Sequence, residues 1–199
     1  MDGTDGSTTF VDSSARPKAF TAIGGAKIST ARSGFGGASI LLDGSSGYLT
    51  TPSHVDFDFG AGNFTMEAWI YYAGGATYPV IFGRQEPGTG MAMQFRMVGS
   101  ALNLTLRDPG GSSLVSFTGG SVPTNVWTHV ACSRQDTTVR LFSAGSLVAS
   151  GVSSNNIAAV RPLTLGAVDD TTLSGFFAGY IDEARITKGV ARYTANFTP

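Results

Sequence analysis

The sequence predicts an all-β fold, a sandwich of two antiparallel sheets. Three observations predict it. The chain holds 27 glycines and only 14% charged residues in 199, which leaves few stretches suited to helix. Its apolar residues, 42% of the total, come in short runs. Turn formers separate these runs about every eight to twelve residues, the spacing of a sandwich or barrel. The third observation is a strand-like run, Gly179 to Thr187, almost at the end of the chain. A last strand must find its partners far back in sequence, so the fold is one of long-range pairing.

Taken in order, residues 1–8 are Gly, Ser, Thr and Asp besides Met1 and form an expected flexible tail, leaving 9–199 as one domain. Phe10 to Ser14 is an expected first edge strand, and Lys18 to Ser33 carries no clear period. Ala38 to Leu42 and Tyr48 to Thr51 flank the turn formers Asp43-Gly44-Ser45-Ser46-Gly47 and read as a hairpin. His54 to Gly62 reads as a loop. Phe64 to Tyr71 is the strongest central strand, with Phe64, Met66, Ala68 and Ile70 on one face by the two-residue period. Thr65, Glu67, Trp69 and Tyr71 fall on the other. Val80 to Gly83 is a short strand. Met91 to Val98 and Ala101 to Arg107 are joined by Gly99-Ser100, a two-residue hairpin link in which Gly supplies the positive φ. Met91, Met93, Phe95 and Met97 face Leu102, Leu104 and Leu106 as core. Further strands are expected at Leu114 to Phe117, Trp127 to Ser133, Thr138 to Phe142, Ser146 to Ser150 and Leu163 to Gly166. The expected core includes Met93, Phe95, Leu104, Val130, Leu141 and Ile181.

Composition excludes several classes. A net charge of −1 with three lysines (Lys18, Lys27 and Lys188) builds no basic face for nucleic acid. No apolar run reaches the roughly 18–20 residues of a membrane span. Met1 to Ser7 lacks the basic and apolar regions of a signal peptide. The single cysteine, Cys132, excludes an internal disulfide and a cysteine-based zinc cluster, and reads as a small buried strand residue. The sequons at Asn63, Asn103 and Asn196 matter only in a eukaryotic secretory route; two of them lie in or beside strands.

Four motifs carry a family likeness. Phe64-Thr65-Met66-Glu67-Ala68-Trp69-Ile70 resembles the FT-x-E-x-W strand of laminin-G-like, concanavalin A-like domains. Trp127-Thr128-His129-Val130-Ala131 is similar to their W-x-H-V-A strand. Val139 to Phe142 with Gly145 resembles their L-x-x-x-G hairpin, with Ala144 where Asn is common. Gly179-Tyr180-Ile181-Asp182-Glu183-Ala184-Arg185-Ile186 resembles their G-x-I-D-E-x-R-I closing strand. Phe35 to Gly44 and Val190 to Pro199 are similar to a subset seen in phage and marine bacterial proteins. The likeness covers residues 10–199 and implies a jelly roll whose first and last strands share a sheet. It is specific for fold and weak for activity, because one fold hosts many functions.

The candidate sites lie on loops. Glycoside hydrolases on this sandwich need two carboxylates facing one cleft, about 5 to 9 Å apart. No Glu-x-Asp-x-Glu run occurs; Asp182 and Glu183 are adjacent, so a regular strand points them to opposite faces, and Glu67 stands alone on its strand. An enzyme is therefore not expected, and Glu67, Asp182 and Arg185 read as paired within the sheet. His129 reads as a packed strand histidine. Tyr72 and Tyr78, in a Gly-rich loop, are the aromatics expected to be exposed and able to stack on a sugar ring. Asp169 and Asp170 form a loop acidic pair that offers carboxylates to sugar hydroxyls, or to calcium as a candidate metal. Two functions stay open. One is a recognition or adhesion module on a phage virion or bacterial surface, binding glycan or host polysaccharide through rim loops. The other is a virion structural protein, a decoration or tail component, acting through contacts with other virion proteins, with an oligomer among its possible forms. A single domain opening on Met1 points to a stand-alone virion part. Both place the chain on a virion surface or outside the cell.

Overall fold

Side-chain alternation decides the middle of the fold. From Phe64 to Tyr72, Phe64, Met66, Ala68, Ile70 and Tyr72 are buried on one face, while Thr65, Glu67 and Tyr71 are buried on the other. A strand covered on both faces belongs inside its sheet. The computed structural model of the chain, which describes residues 2–86, 90–108, 114–157, 161–168 and 174–199, places it there.

Among the described residues there are fifteen strands: β1 (Thr9–Phe10), β2 (Phe20–Ile23), β3 (Lys27–Ser29), β4 (Ser39–Asp43), β5 (Tyr48–Thr51), β6 (Phe64–Tyr72), β7 (Val80–Glu86), β8 (Gly90–Val98), β9 (Ala101–Arg107), β10 (Leu114–Gly119), β11 (Trp127–Gln135), β12 (Thr138–Ser143), β13 (Ser146–Val152), β14 (Leu163–Leu165) and β15 (Ala178–Lys188). They form an eight-stranded sheet ordered β1-β2-β5-β14-β7-β8-β9-β10. A seven-stranded sheet ordered β13-β12-β11-β6-β15-β4-β3 packs against it. Every strand pairing is antiparallel. This is the two-sheet antiparallel sandwich that turn spacing and the family likeness predict. Met93, Phe95, Leu104, Val130, Leu141 and Ile181 all sit in the core between the sheets, each burial contributing about 1.5–3 kcal/mol.

Several local expectations change. The first strand covers Thr9–Phe10 and stops there; it pairs with β2 in the eight-stranded sheet while β15 lies in the seven-stranded one, so the first and last strands do not share a sheet as expected. The unpatterned stretch from Lys18 to Ser33 contains β2 and β3. Asp5 to Ser7, in the expected tail, is bonded to the β3 region: the Gly6 amide donates to the Ile28 carbonyl at 2.9 Å and Ile28 returns a bond to Ser7 at 2.8 Å. The Asp5 carboxylate accepts from the Thr30 amide at 2.9 Å. The largest correction is the hairpin expected around Asp43-Gly47. β4 and β5 lie in different sheets, so this turn is a corner between layers. The Asp43 carboxylate explains it by accepting from the amides of Ser45, Ser46 and Gly47 at 2.8–2.9 Å and from the Ser46 hydroxyl at 2.6 Å. The turn bonds to that side chain and leaves no ladder between its flanking strands. β5 pairs with β2 and β14 instead.

β15 lies between β6 and β4, although it is last in sequence. It carries a one-residue bulge. Asp182 pairs with Trp69 and Arg185 with Glu67, so three steps on β15 match two on β6. Glu183 takes the extra position at φ +48°. The bulge places Ile181 and Ile186 on the inner face and Asp182 and Arg185 on the outer one. Buried Asp182 then accepts the amides of Gly34 and Phe35, both at 3.0 Å, and draws residues 34–35 onto the outer face.

That outer face is closed by the segment after β15. Thr65 donates to the Val190 carbonyl and accepts from the Arg192 amide, each at 2.9 Å. Ser133 donates to the Tyr193 carbonyl at 2.6 Å, and Phe197 donates to the Gly145 carbonyl at 2.9 Å. Glu67 is the centre of this closure. Its oxygens meet Arg185 at 2.7 Å, Arg192 at 3.2 Å, His129 at 3.2 Å and the Tyr193 hydroxyl at 2.5 Å. Burial alone would raise the Glu67 pKa. The hydrogen bonds from His129, Arg185 and Tyr193 outweigh it and bring the value down to about 2. His129 is buried as expected, edge-on to Trp69 and Phe197.

Two outcomes follow from these contacts. Because the folded Glu67 titrates near 2 and an unfolded glutamate near 4.5, its contribution to stability is full above about pH 4.5 and is lost as the pH falls towards 2. Chemical unfolding of wild type and Glu67→Gln across pH 2–6 should show a wild-type advantage that shrinks towards the acid end; an advantage independent of pH would refute the linkage. At the β12–β13 turn, Ala144 stands at φ +48° before Gly145 at +77°. A non-glycine there costs roughly 1–2 kcal/mol, and Asn-Gly suits two successive positive φ values. Ala144→Asn should therefore raise the thermal midpoint by roughly 2–4 °C, and a lowered midpoint would argue against strain in that turn.

Candidate functional site

Tyr72 and Tyr78 part company in the structure. The alternation that begins at Phe64 runs one residue further than Ile70 and carries Tyr72 inward, so Tyr72 is 4% exposed, contrary to its expected loop exposure. Its hydroxyl accepts from the Ala76 amide at 3.0 Å and donates to the Ala76 carbonyl at 2.7 Å. It therefore shapes the 73–79 loop from inside. The loop is also bonded to its neighbours. Gly99 donates to Thr77 at 3.1 Å, Met97 to Pro79 at 2.9 Å and Val80 to Gly175 at 2.8 Å. Gly99, at φ +59°, makes the tight β8–β9 turn that brings its amide to this loop. Tyr78 stays 50% exposed and lies over Arg96, with the guanidinium carbon 5.2 Å from the ring centre. Asp169 and Asp170, and with them the candidate calcium position, lie outside the described residues.

Arg96 belongs to a polar network that strand register assembles on the outer face of the eight-stranded sheet. β8 and β9 place Arg96 opposite Asn103 and Gln94 opposite Thr105, and β10 adds Ser116 and Thr118. The Arg96 Nε donates to Asn103 Oδ1 at 3.1 Å and Nη1 to Gln94 Oε1 at 2.9 Å. The Asn103 amide donates to Ser116 Oγ at 2.8 Å and Thr118 Oγ1 at 2.7 Å. Gln94, Asn103 and Thr105 are buried, Arg96 is half-buried, and Ser116 and Thr118 are exposed. On the opposite face of the same strands, Met93, Phe95, Leu102, Leu104 and Leu106 are in the core. The polar network thus stands on a packed floor. Half-burial pushes the Arg96 pKa down, and the neighbouring Tyr78 works against that shift.

The other polar features are committed to holding the chain together. Glu67 is engaged by four side chains, and Asp182 binds three amides. With its pKa near 2, Glu67 has no proton to give at neutral pH. Two fully buried arginines were missed by sequence reasoning. Arg134, just past the strand expected at Trp127 to Ser133, donates to the carbonyls of Gly60, Gly62 and Asn155 from within β11. Arg84 on β7 bonds the Phe57 carbonyl and pairs with Asp58 at 2.8 Å. Together they fix the loop between β5 and β6. A cavity of about 520 Å³ opens between the sheets, over Phe10, Phe20, Leu49, Phe82 and Ile186. At its mouth Lys18 pairs with Asp56 at 2.8 Å and Arg16 with Asp56 at 3.6 Å. No group of three or more potential metal ligands is found among the described residues. No helix there is long and apolar enough to cross a membrane.

With this geometry in view, comparison with known proteins gives a family and a set of structural neighbours. A search of curated proteins finds no match. The binding domain of Paraclostridial Mosquitocidal Protein 1 superposes with a TM-score of 0.70 at 12% identity, over 94% of this chain and 50% of that one. The botulinum neurotoxin serotype G binding domain gives 0.70 at 13% identity, over 92% and 46%. The chain therefore spans about half the length of these toxin domains. Domain 4 of AbnA, a GH43 extracellular arabinanase from Geobacillus stearothermophilus solved in complex with arabinotriose, gives 0.64 at 22% identity, over 88% of this chain and 84% of that one. At these identities the likeness is one of fold. The Laminin_G_3 profile matches residues 43–192, and the chain belongs to that family of the concanavalin A-like lectin/glucanases superfamily.

Proposed function

We propose that this chain is a non-enzymatic recognition module that binds glycan at the rim formed by Tyr78 and Arg96. One observation carries the reading: a half-exposed aromatic ring is stacked on a guanidinium, which joins a hydrogen-bonded polar sheet face ending in two exposed hydroxyls. A sugar ring offers an apolar face to stack and hydroxyls to bond, and this rim supplies a partner for each. The arabinotriose bound to the arabinanase domain of the same fold supports the class of ligand. A catalytic reading lacks comparable support, since Glu67 and Asp182 are spent on the terminal segment and on residues 34–35. A virion or cell surface is where such a module would act.

The test is a glycan array of plant, bacterial and animal saccharides, followed by titration of the best hit with wild type and Tyr78→Ala. Loss of the ring should weaken binding roughly tenfold, about 1.4 kcal/mol. Unfolding stability should move by no more than about 0.5 kcal/mol, as for other exposed positions. Equal affinity in the variant would remove Tyr78 from the site. An array without hits would reject glycan recognition and favour a structural role through protein contacts.

A further inference from the structure

Several cations of this molecule are answered from within. Arg185 and Arg192 share Glu67, Arg16 and Lys18 share Asp56, and Arg84 has Asp58. Arg134 has no carboxylate but is fully buried and closed by backbone carbonyls. Arg96 differs from all of these. It is half-buried, and its bonded acceptors are two neutral amide oxygens, those of Asn103 and Gln94. Among the described residues no carboxylate pairs with it, and its Nη2 donates to none of them. The guanidinium carbon lies 5.2 Å from the centre of the half-exposed Tyr78 ring, so a ligand bound to Arg96 would also lie beside that ring.

The neighbouring hydroxyls add a second, independent bias. Asn103 uses its amide nitrogen to donate to both Ser116 and Thr118. Thr105 spends its hydroxyl proton on Asn103 Oδ1 at 3.1 Å and lies 3.4 Å from Ser116 Oγ, so Ser116 donates inward to Thr105 and the Thr118 proton is the one left to donate outward. Arg96 Nη2 and Thr118 therefore present donors, joined through one asparagine side chain. A surface of donors around an unanswered cation suits an acceptor-rich anion better than a neutral sugar, whose hydroxyls both donate and accept.

We infer that the glycan taken at this rim is acidic, carrying a carboxylate or sulfate that binds Arg96 Nη2 and the Thr118 hydroxyl. The inference rests on the glycan-recognition reading above and adds the ligand's charge. Partial desolvation of Arg96 without a counter-charge works in the same direction, since an arriving anion restores what burial removes.

Matched pairs test it: oligogalacturonate against its methyl ester, sialyllactose against lactose, and a sulfated oligosaccharide against its desulfated form, titrated at 50 and 300 mM salt. The charged member of at least one pair should bind tenfold or more tighter, and that preference should shrink at the higher salt. Arg96→Gln should abolish the preference and Arg96→Lys should retain part of it. Both variants are checked by thermal unfolding, and the wild-type comparison stands without them. Equal binding of charged and neutral members by the wild type would overturn the inference and leave glycan recognition intact. A preference untouched in a folded Arg96→Gln would also overturn it. Failure of every saccharide to bind would overturn the glycan reading and the inference together.

Discussion

The structure depends on one placement, the last strand set between two that form much earlier in the chain. β15 pairs with β6 on one side and β4 on the other, so the seven-stranded sheet is incomplete until the C-terminal residues arrive. Loop closure over that distance must precede any reward from the ladder, which makes the fold a slow-folding type. At Gly179 the φ is +134°, and a Cβ would come within 2.0 Å of the Tyr71 carbonyl, so only glycine lets β15 lie so close to β6. The consequences continue past the strand. Asp182 gathers residues 34–35, Arg185 engages Glu67, and Arg192 and Tyr193 complete that cluster. A segment that looks like a tail is thereby the cover of a sheet face.

The two polar hubs of the molecule show how burial and satisfaction separate structure from function. Glu67 sits beneath four partners and its charge is fully met. Removing any partner would leave a buried carboxylate short of bonds, the costly direction of change for such a network. Arg96 keeps unused donors at a half-exposed position, where water can serve them until a ligand does. The first arrangement resists change; the second can exchange solvent for a ligand at little structural cost.

Much of this was legible in sequence, and the misses have physical causes. The faces of β6, β8 and β9 follow from period-two alternation because each packs a continuous apolar stripe. The closing strand held a readable clue to its bulge. Ile181 and Ile186 are five apart, an odd separation that no regular strand can place on one face. Tyr72 was misjudged by stopping that same alternation at the edge of a glycine-rich loop. The Asp43 turn has the residues of a hairpin, and only its failure to make a ladder reveals a corner between sheets. Arg84 and Arg134 were hidden because the carbonyls that accept from them come from a loop with no pattern of its own. Arg96 was overlooked while its alternate neighbours drew attention as core. Yet the Gly99-Ser100 link already set Arg96 across from Asn103 and Gln94 across from Thr105.

That register also bears on how a binding site can arise on this fold. Loop sites must be ordered by the ligand or by their own packing, and the ordering subtracts from affinity. Here Gln94, Arg96, Asn103, Ser116 and Thr118 are carried by three adjacent strands whose inner residues are locked in the core. Their donors are held before any ligand arrives. The loop contributes chiefly Tyr78, and even that loop is fixed from below by Tyr72 and from the side by Gly99. Changes to the inner stripe should therefore reach the outer donors through strand geometry, whereas exchange of Ser116 or Thr118 alters the surface without touching the floor. Specificity on such a platform can change one outward residue at a time while the sandwich beneath it stays the same.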